Sequence, residues 1–187
     1  MLARMSWPLQ LQALDETLLR SALSVPAWLT PIFVVASLLG GGWGLLALVP
    51  FAVARATRVA TLWLLGAIVA QSAAVAILKY SIRRVRPCDA LGWCASTAVA
   101  SPGGFSFPSG HATGSFAFAA FIAVRAPRWA PLAFAWATLV ASSRCVLGVH
   151  YPSDVVAGAL LGGLIGAVVA RASLRPRPVA RPASVIP

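Results

Sequence analysis

The residues best suited to chemistry lie in the segment 143–154. His150 stands two residues before Pro152, which is well placed as the first residue of a helix, and Asp154 follows four residues after His150. That spacing lets the carboxylate hydrogen-bond one ring nitrogen, which would fix the tautomer and leave the other nitrogen free as a nucleophile. Taken alone, Asp154 is also an acid of the kind that a helix N-terminus favours.

A second cluster, Pro108-Ser109-Gly110-His111, precedes an apolar run. A helix that opens here would expose backbone N–H groups at its positive end, where an anion binds readily. His111 would lie in the first turn and could give a proton to a leaving oxygen. The alternative is a helix-capping Ser109 beside an incidental histidine.

The third cluster is basic. Lys79 and Arg86 are seven residues apart, which predicts that both lie on one helix face before Pro87 ends the helix. A lysine point charge and a bidentate guanidinium together suit a phosphate. The alternative is a basic membrane flank that binds lipid head groups.

Together the clusters predict attack on a phosphorus atom without a metal or other cofactor. In this interpretation His150 attacks and His111 protonates the leaving group. The phosphoryl oxygens are neutralised by Lys79, Arg86 and Arg144.

The elements that position these residues are apolar. Of the 187 residues, 59% are hydrophobic and 10% are charged, and the mean hydropathy is +0.84. Soluble domains are about 25% charged, so a soluble cytoplasmic enzyme is excluded. The net charge is +11, but the basic residues lie between apolar runs and do not form the basic stripe with interspersed aromatic residues that is typical of nucleic-acid binding. The expected partners are therefore the bilayer and a lipid phosphate or diphosphate, and not nucleic acid.

Two uncharged runs, 21–54 and 59–78, reach the roughly 20 residues that a membrane span needs. The first carries three glycines at 40–42, which predicts either one broken span or two short helices. Three shorter runs follow at 112–124, 129–143 and 155–170. They reach span length only if they include His111, Arg144 and Asp154, and ionisable residues inside a span are functional candidates.

Helices joined by short turns run antiparallel, which predicts that the three clusters meet at one end of the bundle, here called the motif face. The opposite end, the basic face, receives most of the remaining arginines. By the positive-inside rule the basic face is cytoplasmic, and the motif face lies in the periplasm or outside the cell. The eight arginines of the basic face are Arg55, Arg58, Arg125, Arg128, Arg171, Arg175, Arg177 and Arg181. Five cations are predicted at the motif face, against the orientation rule, where a bound phosphate would explain their presence: Lys79, Arg83, Arg84, Arg86 and Arg144.

In order and spacing, the clusters resemble the three-part signature of the type 2 phosphatidic acid phosphatase family, in the acid phosphatase and vanadium haloperoxidase superfamily. The matching motifs are Lys79 with Arg86-Pro87, then Pro108-Ser109-Gly110-His111, then Ser143-Arg144 followed by His150 and Asp154. The resemblance implies an all-α polytopic membrane bundle of about five or six transmembrane helices, preceded by an amphipathic interfacial helix.

The same resemblance implies a role for each matching residue. His111 would be the general acid, His150 the nucleophile that forms a phosphohistidine, and Asp154 the partner that orients His150. The implied phosphate-binding residues are Lys79, Arg86, Ser109, Gly110 and Arg144.

Three regions are predicted. Residues 1–25 form the amphipathic interfacial segment, in which leucines alternate at helical spacing with Asp15, Glu16 and Arg20. Residues 26–172 form the transmembrane phosphatase domain. Residues 173–187 form a disordered, basic, proline-rich cytoplasmic tail. Cys88 and Cys94 are expected on the outward side, where a disulfide between them could persist.

Small bacterial members of the family resemble undecaprenyl diphosphate phosphatases, which implies a cell-wall carrier lipid as substrate and the bacterial inner membrane as location. Phosphatidylglycerol phosphate, phosphatidate and lipid A are the alternative substrates. Two other functions stay open, a transporter, favoured by the glycine break, and a haloperoxidase, favoured by the superfamily pocket but opposed by the apolar composition.

Overall fold

The computed structural model describes residues 8–91 and 103–175, and all regular structure within these ranges is helical. This confirms the predicted all-α class. Short 3₁₀ segments at Ala27–Leu29, Gly42–Leu48 and Pro127–Trp129 link some of the α-helices. The α-helices are α1 (Leu9–Leu23), α2 (Thr30–Gly40), α3 (Val49–Val53), α4 (Arg58–Ile82), α5 (Pro87–Leu91), α6 (Gly110–Arg125), α7 (Ala130–Val146) and α8 (Pro152–Ala172).

The uncharged run 21–54 is broken, as the glycines predicted. Helix α2 ends at Gly40, Gly41 is extended, and the chain continues as a 3₁₀ segment before α3. A Cβ at Gly40 would lie 2.4 Å from Cγ1 of Val140 on α7, so a glycine is needed where α2 meets this side chain. The run therefore forms separate short helices.

Two stretches in the described ranges are long and apolar enough to cross a membrane, Arg58–Ala90 and Pro152–Ala172. The pair Leu9–Leu23 and Ala27–Gly40, bent by 85°, could count as a third. Helices α6 and α7 have 16 and 17 residues, below the roughly 20 that a perpendicular span requires. By length and composition the span count is thus two or three, below the predicted five or six.

Helices α6 and α8 form the centre of the bundle because their backbones almost touch. A Cβ at Gly162 would lie 2.0 Å from the Thr113 carbonyl oxygen, and one at Gly158 would lie 2.7 Å from the Ser109 carbonyl oxygen. Small residues at i and i+4 allow such close approach in membrane bundles. The contact brings the first turns of α6 and α8 together, and these turns carry His111 and Asp154.

The two ends of the bundle have separate small cores. At the basic face, Leu64, Phe121 and Ala170 pack together where α4 begins and α6 and α8 end. At the motif face, Leu19 of α1 packs against Cys145 and Tyr151, at the end of α7 and the start of α8. Helix α1 thus covers part of the motif face.

Candidate active site

Lys79 and Arg86 reach the site by a different route from the predicted single helix face. Helix α4 ends at Ile82, and Arg83 adopts a left-handed conformation (φ 56°) that terminates it. Pro87 begins α5, and the ring of a proline disfavours the α conformation in the residue before it, which here is Arg86. The prediction of one helix through Arg86 was therefore wrong, although Lys79 lies in the last turn of α4 as expected.

Both cations nevertheless turn toward the segment that precedes α6. Lys79 Nζ donates to the Phe105 carbonyl oxygen, and Arg86 Nε donates to the Gly104 carbonyl oxygen at 3.1 Å. Arg86 Nη1 also donates to the Val149 carbonyl oxygen at 2.9 Å. These partners are neutral, so both cations remain uncompensated by the contacts that hold them.

Helix α6 begins at Gly110, and His111 lies in its first turn, as predicted. Ser109 is the N-cap residue, but its hydroxyl makes no capping hydrogen bond. Its backbone N–H instead donates to the Asp154 carbonyl oxygen at 3.0 Å, which ties the start of α6 to α8. The hydroxyl of Ser109 therefore does not cap α6, although the residue occupies the N-cap position.

His150 lies between Arg86 and Asp154. Its Nδ1 is 3.5 Å from Asp154 Oδ2, and its Nε2 is 3.2 Å from Arg86 Nη1. A guanidinium can only donate, so Nε2 must be the acceptor and Nδ1 carries the proton toward the carboxylate. The Nδ1 contact is longer than a usual hydrogen bond, as is common at catalytic contacts before substrate binds. This tautomer leaves the Nε2 lone pair available.

Burial lowers the pKa of His150 to about 4, against smaller opposing effects from the hydrogen bond and the charge of Asp154. The positive charges of Arg86 and Arg144 lower the pKa further. At neutral pH the ring is therefore uncharged, which is the state that a nucleophile requires.

Asp154 is fully buried, and several donors hold its carboxylate. Oδ2 accepts hydrogen bonds from the Ser106 hydroxyl and, at 2.9 Å, from the Tyr151 backbone N–H. Oδ1 accepts from Arg84 Nη1 at 2.6 Å. Sequence reasoning missed the role of Ser106, because a serine in an aromatic-rich loop carries no distinguishing signal.

Arg144, in the last turn of α7, is 2% exposed, and its Nη1 hydrogen-bonds the hydroxyl of Ser37 on α2. The His111 ring also contacts the backbone of Ser37. A Cβ at Gly41 would lie only 3.0 Å from His111 Nε2. The end of α2 therefore forms one wall of the site, a contribution of Ser37 and Gly41 that no motif signalled.

Among the residues that the sequence singled out, Ser109 and Arg144 each have a buried polar atom with no hydrogen-bond partner in the described part of the chain, Ser109 Oγ and Arg144 Nε. Such groups are rare in folded proteins, and both of these can donate to an oxyanion.

Two residues depart from their predicted environment. Asp15 was predicted on the polar face of an interfacial helix, but it is buried and pairs with Arg84 at 2.6 Å. Arg84 was expected among the cations whose presence a phosphate would explain, and it instead forms ion pairs with Asp15 and Asp154. Both predictions failed because the partners are about 70 residues apart in sequence.

Cys88 is buried beside the Gly148 carbonyl oxygen, 3.4 Å from its Sγ. Its predicted partner Cys94 lies outside the described residues, so the disulfide stays a prediction. The last twelve residues of the predicted tail, 176–187, also lie outside them.

The fold and the cluster of cations, histidines and buried carboxylate define a membrane-embedded phosphoryl-transfer protein. Residues 60–178 match the PAP2 superfamily, and the chain belongs to that superfamily. It is therefore a membrane phosphatase of this superfamily, a phosphoric ester hydrolase acting on lipid phosphates. The transporter and haloperoxidase interpretations are not supported.

Two curated relatives have names that refer to prenyl-linked phosphates. The chain is 42% identical, over 68% of its length and 70% of the relative's, to a decaprenylphosphoryl-5-phosphoribose phosphatase of Mycobacterium tuberculosis. It is 36% identical, over 48% of its length and 43% of the relative's, to an undecaprenyl-diphosphatase of Sulfolobus acidocaldarius.

A solved structure shares the fold. The PAP2-type phosphatidylglycerolphosphate phosphatase of Bacillus subtilis superimposes with a TM-score of 0.70 at 28% identity, covering 86% of this chain and 84% of that one. The similarity confirms the membrane-phosphatase bundle.

Proposed function

We propose that this protein removes the terminal phosphate from a polyprenyl-linked phosphate or diphosphate through a phosphohistidine on His150. The observation that carries the proposal is the arrangement around that ring. Nδ1 faces the Asp154 carboxylate, and Nε2 faces the guanidinium of Arg86. A neutral imidazole oriented in this way is an activated nucleophile beside a phosphate-binding cation.

In the first step, Nε2 of His150 attacks phosphorus and the bond from phosphorus to the lipid oxygen breaks. His111 gives its proton to that oxygen, so the lipid leaves as an alcohol or as a monophosphate. Arg86 moves its hydrogen bond from Nε2 to a phosphoryl oxygen. Asp154 stabilises the positive charge that develops on the ring.

In the second step, water attacks the phosphohistidine and the bond between nitrogen and phosphorus breaks. His111 accepts the proton of that water, which restores both histidines and releases inorganic phosphate. The sequence of steps needs no redox change and no further reactant.

The phosphate-binding residues are Lys79, Arg86, Ser109, Gly110 and Arg144. The cations stabilise the equatorial oxygens, where charge is concentrated in the transition state. The unpartnered hydroxyl of Ser109 and the first N–H groups of α6 supply neutral donors at the positive end of the helix.

The proposed substrate is undecaprenyl diphosphate, converted to undecaprenyl phosphate during cell-wall carrier recycling. The names of two relatives, both acting on prenyl-linked phosphates, support a prenyl substrate. A prenyl phosphosugar carrying a terminal phosphate is chemically equivalent at the reacting end. Phosphatidylglycerol phosphate is the second candidate, favoured by the structural neighbour, with phosphatidate and lipid A as further alternatives.

The proposed location is the bacterial inner membrane with the motif face outward. The exposed arginines of the basic face, including Arg55, Arg58, Arg125 and Arg128, support this orientation. Labelling of single cysteines placed at each face, in intact cells with an impermeant reagent, tests the orientation.

The test of function is phosphate release by the purified protein in detergent. Undecaprenyl diphosphate, decaprenylphosphoryl-5-phosphoribose, phosphatidylglycerol phosphate, phosphatidate and lipid A are compared by kcat/KM. We expect a prenyl substrate to exceed the others by at least tenfold. A preference for phosphatidylglycerol phosphate would replace the substrate and leave the mechanism standing.

The mechanism is tested with His150→Ala and His111→Ala. Both are expected to abolish turnover. Acid-labile ³²P label trapped by rapid quenching of the unmodified protein with ³²P-substrate should be absent from His150→Ala. Full turnover by folded His150→Ala would exclude the proposed nucleophile.

A further inference from the structure

Helix α1 brings a carboxylate into the interior of the motif face. Asp15 is 2% exposed, and its Oδ2 lies 2.6 Å from Arg84 Nη2. Its Oδ1 accepts the backbone N–H of Ser153 at 2.9 Å, and its Oδ2 accepts the Ser153 hydroxyl at 2.5 Å. Asp15 thus satisfies a first-turn N–H group of α8 from a helix nearly 140 residues earlier.

Arg84 connects this carboxylate to the site. It is 4% exposed, and its Nη1 donates to Asp154 Oδ1 at 2.6 Å and to the Ser153 hydroxyl at 2.7 Å. Its guanidinium lies 4.0 Å from the centre of the Tyr151 ring. The side chain is therefore held from two sides, with one carboxylate at each terminal nitrogen.

Asp154 must present Oδ2 to His150, and rotation of its carboxyl group would lose that contact. Arg84 holds the other oxygen, Oδ1, and charge-assisted bonds of 2.6 Å are the strong kind. Arg84 keeps this position because Asp15 holds its second nitrogen. Without Asp15 the buried guanidinium would keep one carboxylate of two and so lose much of its charge compensation, because its other contact at Nη2, the Gln12 side-chain oxygen at 3.2 Å, is neutral.

We propose that Asp15 and Arg84 are positioning residues for the nucleophile: through the chain Asp15, Arg84, Asp154, they fix the carboxylate that orients His150. The proposal rests on the proposed role of His150. It assigns α1 to the catalytic apparatus, in addition to any contact that the helix makes with the membrane surface.

The central variant is Asp15→Asn, which keeps the size of the side chain and removes its charge. The matched control is Glu16→Gln, which removes the same charge from the neighbouring residue of α1. Glu16 accepts a hydrogen bond from Gln12 Nε2 at 2.8 Å, and a glutamine oxygen can accept the same bond. We expect Asp15→Asn to lower kcat about tenfold, with KM within about threefold, because the phosphate-binding residues are unchanged. Glu16→Gln should stay within about twofold of the unmodified protein.

A pH profile separates positioning from a folding role. The charged and titratable groups around His150 are Asp154 of α8, Arg86, Arg144 of α7 and His111 of α6. Loss of the Asp15 charge destabilises the imidazolium, so the acid limb of kcat/KM should move to lower pH. Arg84→Gln removes a positive charge, so it should move that limb to higher pH. A variant that only folds less well would lower kcat/KM by the same factor at every pH and leave the pH of the acid limb unchanged.

Ser153→Ala serves if either charge variant fails to fold. It removes one hydroxyl that donates to Asp15 and accepts from Arg84, and it should lower kcat several-fold with KM unchanged. Folding is checked by melting temperature and gel filtration in detergent.

The proposal is overturned if folded Asp15→Asn matches Glu16→Gln in kcat. It is also overturned if Asp15→Asn lowers yield and stability but leaves unchanged both the acid limb and the kcat per active site, counted from the ³²P label on His150. Where Asp15→Asn does not fold, the same result with Ser153→Ala overturns it. Failure of the underlying function looks different: the unmodified protein would release no phosphate, or His150→Ala would remain active.

Discussion

The two ends of the bundle use arginine in opposite ways. At the basic face Arg55, Arg58, Arg125 and Arg128 are exposed, where water and lipid head groups solvate them. At the motif face Arg84, Arg86 and Arg144 are at most 4% exposed. Burying a charge is expensive unless it is paired, so the second group requires partners while the first requires none.

The buried arginines differ again among themselves. Arg84 lies between the carboxylates of Asp15 and Asp154, and these two ion pairs neutralise its positive charge. Arg86 and Arg144 hydrogen-bond neutral groups, the carbonyls of Gly104 and Val149 and the hydroxyl of Ser37. The uncompensated pair is therefore suited to a phosphate, whereas Arg84 is suited to holding other residues in place.

The largest expected effect comes from removing one uncompensated arginine. Arg86→Ala and Arg144→Ala should each lower kcat/KM by about 10²–10³-fold, the usual loss for one group that stabilises an oxyanion. Arg55→Ala, at the basic face, should change kcat/KM less than about twofold. Phosphate release in detergent measures all three. Equal effects at both faces would contradict the division between them.

A second test breaks the contact that brings α6 and α8 together. Gly162→Ala places a Cβ 2.0 Å from the Thr113 carbonyl oxygen, so one backbone must move, at a destabilisation of about 1–3 kcal/mol. Gly163→Ala is the matched control, because nothing lies within 4 Å of its Cβ. The melting temperature in detergent should fall only for Gly162→Ala. An equal response of both variants would argue against the close approach.

A third test perturbs the wall that α2 gives to the motif face. Gly41→Ala puts a Cβ 3.0 Å from His111 Nε2, so the ring must shift by a few tenths of an ångström. Since misplacement by 1 Å can lower a rate by about 10²-fold, we expect a decrease in kcat of roughly tenfold or less. Gly66→Ala, with open space around its Cβ, should leave kcat unchanged. If kcat were unaffected in Gly41→Ala, Gly41 would not form part of the site.

The smallest expected effect is that of mild acid. Because burial lowers the pKa of His150 to about 4, the ring stays neutral and nucleophilic down to that pH. The acid limb of kcat/KM, which reports the free enzyme, should therefore bend near pH 4 and stay nearly flat between pH 5 and 7 as far as His150 is concerned. A limb near pH 6.5, the ordinary histidine value, would indicate a solvated ring.

Most of the candidate site could be predicted from the sequence because its residues lie next to helix boundaries, which short-range sequence signals mark. Gly110 and Pro152 begin helices, so His111 and Asp154 fall in first turns at positions that short-range rules specify. The alternation of apolar runs along the sequence predicts the end of the bundle at which Lys79, Arg144 and His150 lie. The residue types themselves indicated phosphate chemistry, and family membership agrees with it.

Tertiary structure alone decided which charges are compensated and how closely the helices approach. Asp15 meets Arg84 across 69 residues, and Ser37 meets Arg144 across 107, separations at which no periodicity links the partners. Helix α4 also stops before Arg86, since the left-handed Arg83 and the following Pro87 outweigh the helical spacing that predicted one continuous face. The sequence by itself therefore indicated the proposed reacting groups and the end of the bundle where they lie. The long-range contacts of a folded interior determined which of the cations remain free to meet a phosphate, because compensation of a buried charge depends on what packs beside it.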